Sequence, residues 1–301
     1  MHLPSTKQLR YLVALDDHKH FGQAAAACHV SQSAFSIGIR ELETVLGIRL
    51  VDRTNKHITI TRTGQDVISQ ARLCLRDLES LVETARGGHS LLTGQLHLGV
   101  IPTIAPFLLP VMVRKLRKDY PKLQIYIKEE QTDRVYGGLV NGELDVILIA
   151  LPYDLRNVET ELLFKDYFVL AYCEDTSLVD PLHYTATRLE RDSVLLLEDG
   201  HCLRDHALKA CRIRSLSKVS RFSATSLNTL VQMVDSDLGI TFLPEMAIHS
   251  ALLKGTRVRT QPLKERSFRN IALVWRKGSG RDEEFNLLAN MIRGYWTSRT
   301  K

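Results

Sequence analysis

"FGQAAAACHVSQSAFSIGIRELETVLGIRLVDRT", residues 21–54, decides the fold of the N-terminal part of the chain. It predicts a short helix from Phe21 to Cys28, where Ala24, Ala25, Ala26 and Ala27 let a neighbouring helix come close. A break at His29-Val30 follows. Ser31 is a good N-cap for the next helix, because its hydroxyl can accept from an N–H of the first turn that has no partner within the helix. There Phe35, Ile39, Leu42 and Leu46 step by four, three and four and face inward. Gln32, Ser36 and Arg40 step by four on another face, with Ser33 beside them. Two short helices, a tight break and a polar outer face predict a helix-turn-helix. The residue types suit DNA. Gln pairs bidentately with adenine, Arg with guanine, and Ser meets base edges or phosphate.

Upstream, "STKQLRYLVAL" (5–15) opens on a candidate capping box, Ser5 and Gln8, followed by Leu9, Leu12 and Val13 at helical spacing. Downstream, Leu50-Val51 and Ile58-Thr59-Ile60 are spaced to pair around "RTNK" (53–56). That hairpin would be a wing, with Arg53, Lys56 and Arg62 available to phosphates. A small helical domain with a merely solvated polar face is the alternative. From Thr63 the pattern changes. Val67, Ala71, Cys74, Leu78, Leu81 and Ala85 step by four, three, four, three and four up to a stop at Gly87-Gly88. This 3.5-residue seam predicts a partner helix and hence a dimer, with Cys74 as part of its core. One amphipathic helix packed on its own domain is the alternative.

Beyond the glycines, "GQLHLGVI" (94–101) and "LQIYIKEEQT" (123–132) alternate as strands, and "DVILIAL" (145–151) is a continuous apolar run suited to a buried parallel strand. Helical stretches separate them. This β-α-β-α-β order predicts a parallel sheet with helices on its faces. Further strands are predicted at "FVLAY", "VLLLE", "GITFLP" and "NIALVW", and a terminal helix carries Phe285, Leu288 and Ile292. Two α/β subdomains with chain crossovers would leave a ligand cleft between them. Thr103 and Thr132 each follow a strand and precede a helix, so their hydroxyls would face that cleft.

Net charge of +6 over 301 residues mildly favours an anionic partner. Residues 1–62 hold eight Lys/Arg against five Asp/Glu, so pattern rather than charge carries the DNA reading. No apolar run nears the roughly 20 residues of a membrane span. No signal-peptide pattern opens the chain, which places the protein in the cytoplasm with no membrane partner. Five cysteines, an odd and low count, argue against a structural disulfide framework there. No phosphate loop, nucleophile elbow or cofactor motif is present, and neither a cofactor nor an enzyme is implied. "EDGHCLRDHALKACRI" (198–213) leaves a question, since Cys202 and Cys211 stand nine apart. They are buried thiols, zinc ligands with His201 and His206, or a reactive pair. The spacing matches no common zinc framework.

The stretch from Phe21 through "TRTG" resembles the LysR-type transcriptional regulators, and the resemblance runs over the whole chain. It implies a winged helix-turn-helix (1–62), a linker and dimerisation helix (63–90) and a regulatory domain of two α/β subdomains (91–301). These are subdomain I, about 91–166 and 269–301, and subdomain II, about 167–268. "LHLGVIPTIAPFLLP", "EEQT", "LLLEDGHCLRDHALKAC", "FSATSLNTLVQMV" and "GITFLP" resemble the peroxide-sensing members of that family. By this resemblance Cys202 is the peroxide-reactive cysteine and Cys211 its resolving partner. Thr103, Thr132, His201, Arg204, Asp205 and Arg269 then belong to the peroxide pocket. Gln32, Ser33, Ser36 and Arg40 occupy recognition-helix positions.

The implied partners are double-stranded promoter DNA, hydrogen peroxide as signal, a homodimer assembling into a homotetramer, and RNA polymerase. The departure is "VDSDLGITFLP", where Asp235, Ser236, Asp237 and Leu238 replace the small residues and glycine common in the family. A thiolate is what reacts with peroxide, so the Cys202 thiolate needs stabilising. If 202–211 is one helix, nine residues span about 13.5 Å and put the two cysteines on opposite faces. A disulfide needs Cα atoms about 4.4–6.8 Å apart. Oxidation would therefore have to refold the segment. A metabolite-responsive regulator using the same cleft is the competing function. A thiol peroxidase or a secreted solute-binding protein fits the first ninety residues less well.

Overall fold

The computed structural model describes residues 2–53, 58–85, 91–213 and 215–299. The chain divides into two compact units, one of Met1–Ser90 with Val140–Glu143 and one of Leu91–Leu139 with Leu144–Lys301.

In the first unit α1 (Thr6–His18) opens with the Ser5/Gln8 capping box, both halves of it formed. Helix α2 (Phe21–Ala27) is capped by His20, whose Nδ1 accepts from the N–H groups of Gly22 and Gln23. Helix α3 (Gln32–Leu46) starts on Ser31, whose Oγ accepts from Ala34 N–H at 3.3 Å, and stops at Gly47 in the left-handed region. Phe35, Ile39 and Leu42 are fully buried, joined by Tyr11, Leu12, Leu15, Ala24 and Ala25. Phe35 stacks on Tyr11 at 4.7 Å and meets Phe21 edge-on at 5.9 Å. Leu46 packs at the rim. Strands β1 (Val51–Arg53) and β2 (Ile58–Ile60) pair antiparallel, Val51 opposite Ile60. Glu43 Oε1 accepts from the N–H groups of Leu50 and Val51, tying α3 to the hairpin.

Helix α4 (Arg62–Ala85) packs on α1, where Arg72 bridges Asp16 and Asp17. Its seam divides. Val67 is half-buried against the core of its own unit and Ala71 is buried, whereas Cys74, Leu78 and Leu81 are exposed. The core role expected for Cys74 is thus not filled within one chain. Gly38 is a pressure point, since a Cβ there would lie 2.8 Å from the Tyr11 ring. Gly38→Ala is expected to cost the N-terminal unit about 1–3 kcal/mol by overpacking. Thermal unfolding of the full chain would register this as a lowered first transition.

The second unit starts with β3 (Gly94–Val100), α5 (Ala105–Asp119), β4 (Leu123–Glu129), α6 (Thr132–Val140) and β5 (Val146–Leu151). Strand β3 pairs in parallel with both β4 and β5, as the β-α-β order requires. The sheet is mixed, however. Strand β6 (Val158–Cys173) is sixteen residues long, and the sparse burial of its first half hid it from an apolar-run search. The chain continues through β7 (Val194–Leu197), α7 (Cys202–Ala210), β8 (Val219–Ala224) and α8 (Leu227–Asp235). It then forms β9 (Thr241–Pro244), α9 (Glu245–Ile248), β10 (Val258–Pro262), β11 (Phe268–Arg276) and α10 (Asp282–Arg299).

Strand β11 lies antiparallel between β5 and β6, where a returning chain needs no helical crossover. Strand β6 changes partners along its length. Val158 to Tyr167 pair with β11, then Phe168 to Cys173 pair with β9 and β10. Strands β7 and β8 form a separate parallel pair. The unexpected β8 and β10 are short and half polar, so neither alternation nor an apolar run announces them. At the departure from the family pattern, α8 ends on Asp235, Asp237 takes a left-handed φ of 55° and Leu238 is exposed. Among the described residues no helix is long and apolar enough to cross a membrane.

Candidate redox site

The antiparallel register of β6 and β11 sets Arg269 directly opposite Asp166. Both side chains are fully buried, and Arg269 Nε donates to Asp166 Oδ2 at 3.0 Å. The other carboxylate oxygen accepts from Met246 N–H, also at 3.0 Å, at the start of α9. Arg269 then reaches the turn between β3 and α5. Its Nη1 donates to Thr103 Oγ1 at 2.8 Å and its Nη2 to the Thr103 carbonyl at 3.0 Å. A buried arginine needs a carboxylate and well-made hydrogen bonds, and both are present. Burial raises the Asp166 carboxyl above the ordinary carboxylate range, and Arg269 offsets only part of that rise. Because Thr103 Oγ1 already accepts from Arg269, its own O–H is left to donate elsewhere.

Thr132 begins α6 and is buried. Its hydroxyl has no hydrogen bond of normal length among the described residues. Gly200, with φ at 95°, brings the loop after β7 against Gln131, and a Cβ there would lie 2.7 Å from the amide oxygen. Only glycine combines that backbone with that approach. Cys202 follows as the first residue of α7, half-buried, a free thiol at a helix N-terminus.

Burial pushes the Cys202 thiol up, and Asp205 adds to this. Arg269, and the nearby Thr132 hydroxyl, favour the thiolate. Burial and these partners thus act on the thiol in opposite directions, with burial the larger.

The other expected pocket residues separate. His201 is the buried N-cap position of α7, its imidazole held below the ordinary histidine range by burial against the pull of Glu198. Arg204 is tied back to β7, with Nη1 donating to the Leu197 carbonyl at 3.2 Å and Nε 2.9 Å from Asp199. Asp205 is exposed. Cys211 caps the far end of α7, donating its N–H to the Ala207 carbonyl at 2.9 Å. It is buried, and burial pushes its thiol strongly up.

The sequence reading missed Asp166, Met246 and Gln131. No local signal marks them, because their partners are far along the chain. Residue 166 stands 103 positions from Arg269. In the N-terminal unit Gln32, Ser33 and Arg40 are exposed along α3, Ser36 is half-buried beside them, and Arg62 is exposed at the start of α4. Lys56 lies outside the described residues, as do the side chains of Arg53 and Ala85.

Residues 6–65 match the model of the bacterial regulatory helix-turn-helix protein, lysR family, and residues 89–297 match the LysR substrate binding domain. The chain belongs to the LysR family of bacterial transcriptional regulators.

Within that family it is 38% identical over 287 residues to OxyR of Escherichia coli, a DNA-binding transcriptional dual regulator, covering 95% of this chain and 94% of that one. It is equally, 38%, identical over 292 residues to the HTH-type transcriptional regulator EstR of Acinetobacter baylyi, covering 97% of each. Its structure matches a full-length OxyR variant from Pseudomonas aeruginosa with a TM-score of 0.83 at 33% identity, over 97% of this chain and 96% of that one. A hydrogen-peroxide-bound OxyR mutant from Corynebacterium glutamicum matches with a TM-score of 0.66 at 32% identity, over 99% and 94%.

Proposed function

We propose that the protein is a cytoplasmic DNA-binding regulator that senses hydrogen peroxide by oxidation of Cys202. The observation that carries this reading is Cys202 at the start of α7, with Arg269 and the Thr132 hydroxyl both favouring its thiolate. A metabolite pocket needs no such arrangement around a thiol. Peroxide oxidises Cys202 to a sulfenic acid, and Cys211 condenses with it to a disulfide, releasing water.

Residues 1–62 form the DNA-binding domain. Gln32, Ser33, Ser36 and Arg40 meet base edges, and Arg53, Lys56 and Arg62 meet phosphates. Residues 63–90 join two copies through Val67, Ala71, Cys74, Leu78, Leu81 and Ala85. The exposure of Leu78 and Leu81 supports this. Residues 91–301 carry the sensor, divided near 166–167 and 268–269. The oxidised form changes the spacing of DNA-binding domains in a dimer or tetramer and thereby its contact with RNA polymerase.

A metabolite-responsive regulator is the second reading, favoured by the equal identity to EstR. Cys202→Ser separates the two. The variant should bind promoter DNA with the wild-type reduced footprint and show no change with peroxide, whereas wild type loses two free thiols and shifts its footprint. A peroxide-dependent footprint in Cys202→Ser, or none in oxidised wild type, overturns the sensing role.

A further inference from the structure

Helix α7 holds a buried polar atom without a partner among the described residues, His206 Nδ1. The other ring nitrogen is engaged. Nε2 is 3.0 Å from the Pro152 carbonyl, in the loop after β5. A carbonyl only accepts, so Nε2 carries the proton and Nδ1 presents a bare lone pair. His206 stands four residues after Cys202 on the same helix, and positions i and i+4 share one helix face. Helical Cβ bonds tilt toward the N-terminus, which leans the imidazole back toward Cys202. Arg269 acts electrostatically on both residues, placing both in the surroundings of the Arg269–Thr103 brace.

A buried acceptor that no protein group reaches needs a small donor such as a water or a peroxide to satisfy it. Around Cys202 the donors and acceptors are unequal. Thr103 has its O–H free to donate, because Arg269 occupies one of its acceptor positions and the guanidinium beside it favours a partner oxygen that carries negative charge. Thr132 can donate, and His206 Nδ1 can only accept. Hydrogen peroxide has two chemically identical oxygens, so a site must supply the difference between the one attacked and the one that leaves.

We propose that His206 is a peroxide-orienting residue: its Nδ1 accepts the O–H of the oxygen that Cys202 attacks, while the Thr103 and Thr132 hydroxyls donate to the oxygen that departs. This rests on the reading of Cys202 as the peroxide target. The thiolate forms the S–O bond to the near oxygen, and the O–O bond breaks with its electron pair on the far oxygen. That oxygen takes up the proton lost by the thiol, leaving a sulfenic acid and water.

Charged groups acting on His206 are Arg269 from β11 and Asp205 and Lys209 from α7 itself. Burial foremost holds its imidazole below the ordinary histidine range, so the acceptor is available at neutral pH and is lost on acidification.

The test is the rate at which peroxide oxidises Cys202 in the full-length protein, followed by rapid-quench alkylation and mass spectrometry from about pH 8 down through the ordinary histidine range to the lowest pH at which the protein stays folded. His206→Leu should slow oxidation about tenfold at neutral pH, the worth of one hydrogen bond. His206→Gln keeps a donor for the Pro152 carbonyl and an acceptor that does not titrate. Its rate should stay near wild type at neutral pH, and the ratio of its rate to that of wild type should climb as the pH falls. That ratio cancels the shared titration of the thiol, and a merely structural histidine would not move it. A wild-type rate in His206→Leu overturns the orienting role, as does a flat ratio for His206→Gln. If His206→Leu does not fold, the glutamine ratio decides alone. Wild-type Cys202 untouched by stoichiometric peroxide would instead overturn the sensing role beneath.

Discussion

Arg269→Met is expected to destabilise the regulatory unit by about 3–5 kcal/mol, because it strands the fully buried Asp166 without its cation. Methionine fills much of the volume, so the loss reports the charge rather than a cavity. Asp166 would then hold a proton in the native state more tightly than in the unfolded chain. An acid with a raised native pKa gains stability as the pH falls through that raised value toward the ordinary carboxylate range, near 3.8. The deficit relative to wild type should therefore shrink on acidification. Asp166→Asn added to Arg269→Met removes the stranded charge and keeps an acceptor for the Met246 N–H. Urea unfolding at pH 7 should show most of the stability restored in the double variant.

Sensing should not return with stability. Thr103 loses the guanidinium that fixes its hydroxyl, and Cys202 loses the cation that favours its thiolate. Oxidation of Cys202 in the double variant is expected to stay about a hundredfold slow, the scale of removing one preorganised donor from a reacting centre. Recovery of the rate together with stability would show that Arg269 only holds the fold.

That network also marks where sequence stops being informative. The helix-turn-helix was legible because each of its signals is local. Ser31 caps within three residues, Ala24 and Ala25 admit a neighbour by their own size, and Phe35, Ile39 and Leu42 repeat at helical spacing. Arg269 was visible only through family resemblance, and Asp166 was not visible at all. Its meaning comes from strand register, and register is fixed by the whole sheet rather than by neighbouring residues. Strand β6 was half visible for the same reason. The "FVLAY" end is largely buried on both faces and reads as an apolar run, whereas from Val158 to Tyr167 only Leu163 and Asp166 are buried, among polar and half-exposed neighbours. His206 could be considered from sequence as a zinc ligand, but the bare lone pair on Nδ1 depends on the carbonyl of Pro152, 54 residues away.

The second large effect concerns α7. Peroxide treatment of wild type is expected to lower amide hydrogen-exchange protection across residues 203–213 about a hundredfold or more, and Cys211→Ser should keep that protection. Helix α7 runs unbroken from Cys202 to Ala210 with Cys211 as its cap, so the two cysteines stand about 13.5 Å apart along the axis. A disulfide requires Cα atoms about 4.4–6.8 Å apart, and the helix cannot survive that approach.

The obstacle is the core beneath α7. Leu203, Ala207, Cys211 and Ile213 are all buried. Exposing the leucine and isoleucine alone costs about 1.5–3 kcal/mol each, enough for protection of a hundredfold and more in the reduced protein. Cys211 has a further reason to wait. Its burial keeps the thiol protonated, and only a thiolate attacks a sulfenic acid. If the two sulfurs join as proposed, the helix end must open before the second can react, and the bond would then hold it open. In Cys211→Ser, Cys202 should reach the sulfenic acid while α7 closes again and the reduced promoter footprint persists. Equal loss of protection in that variant would mean that the sulfenic acid alone disrupts the helix, and the disulfide would then be a consequence of the switch rather than its lock.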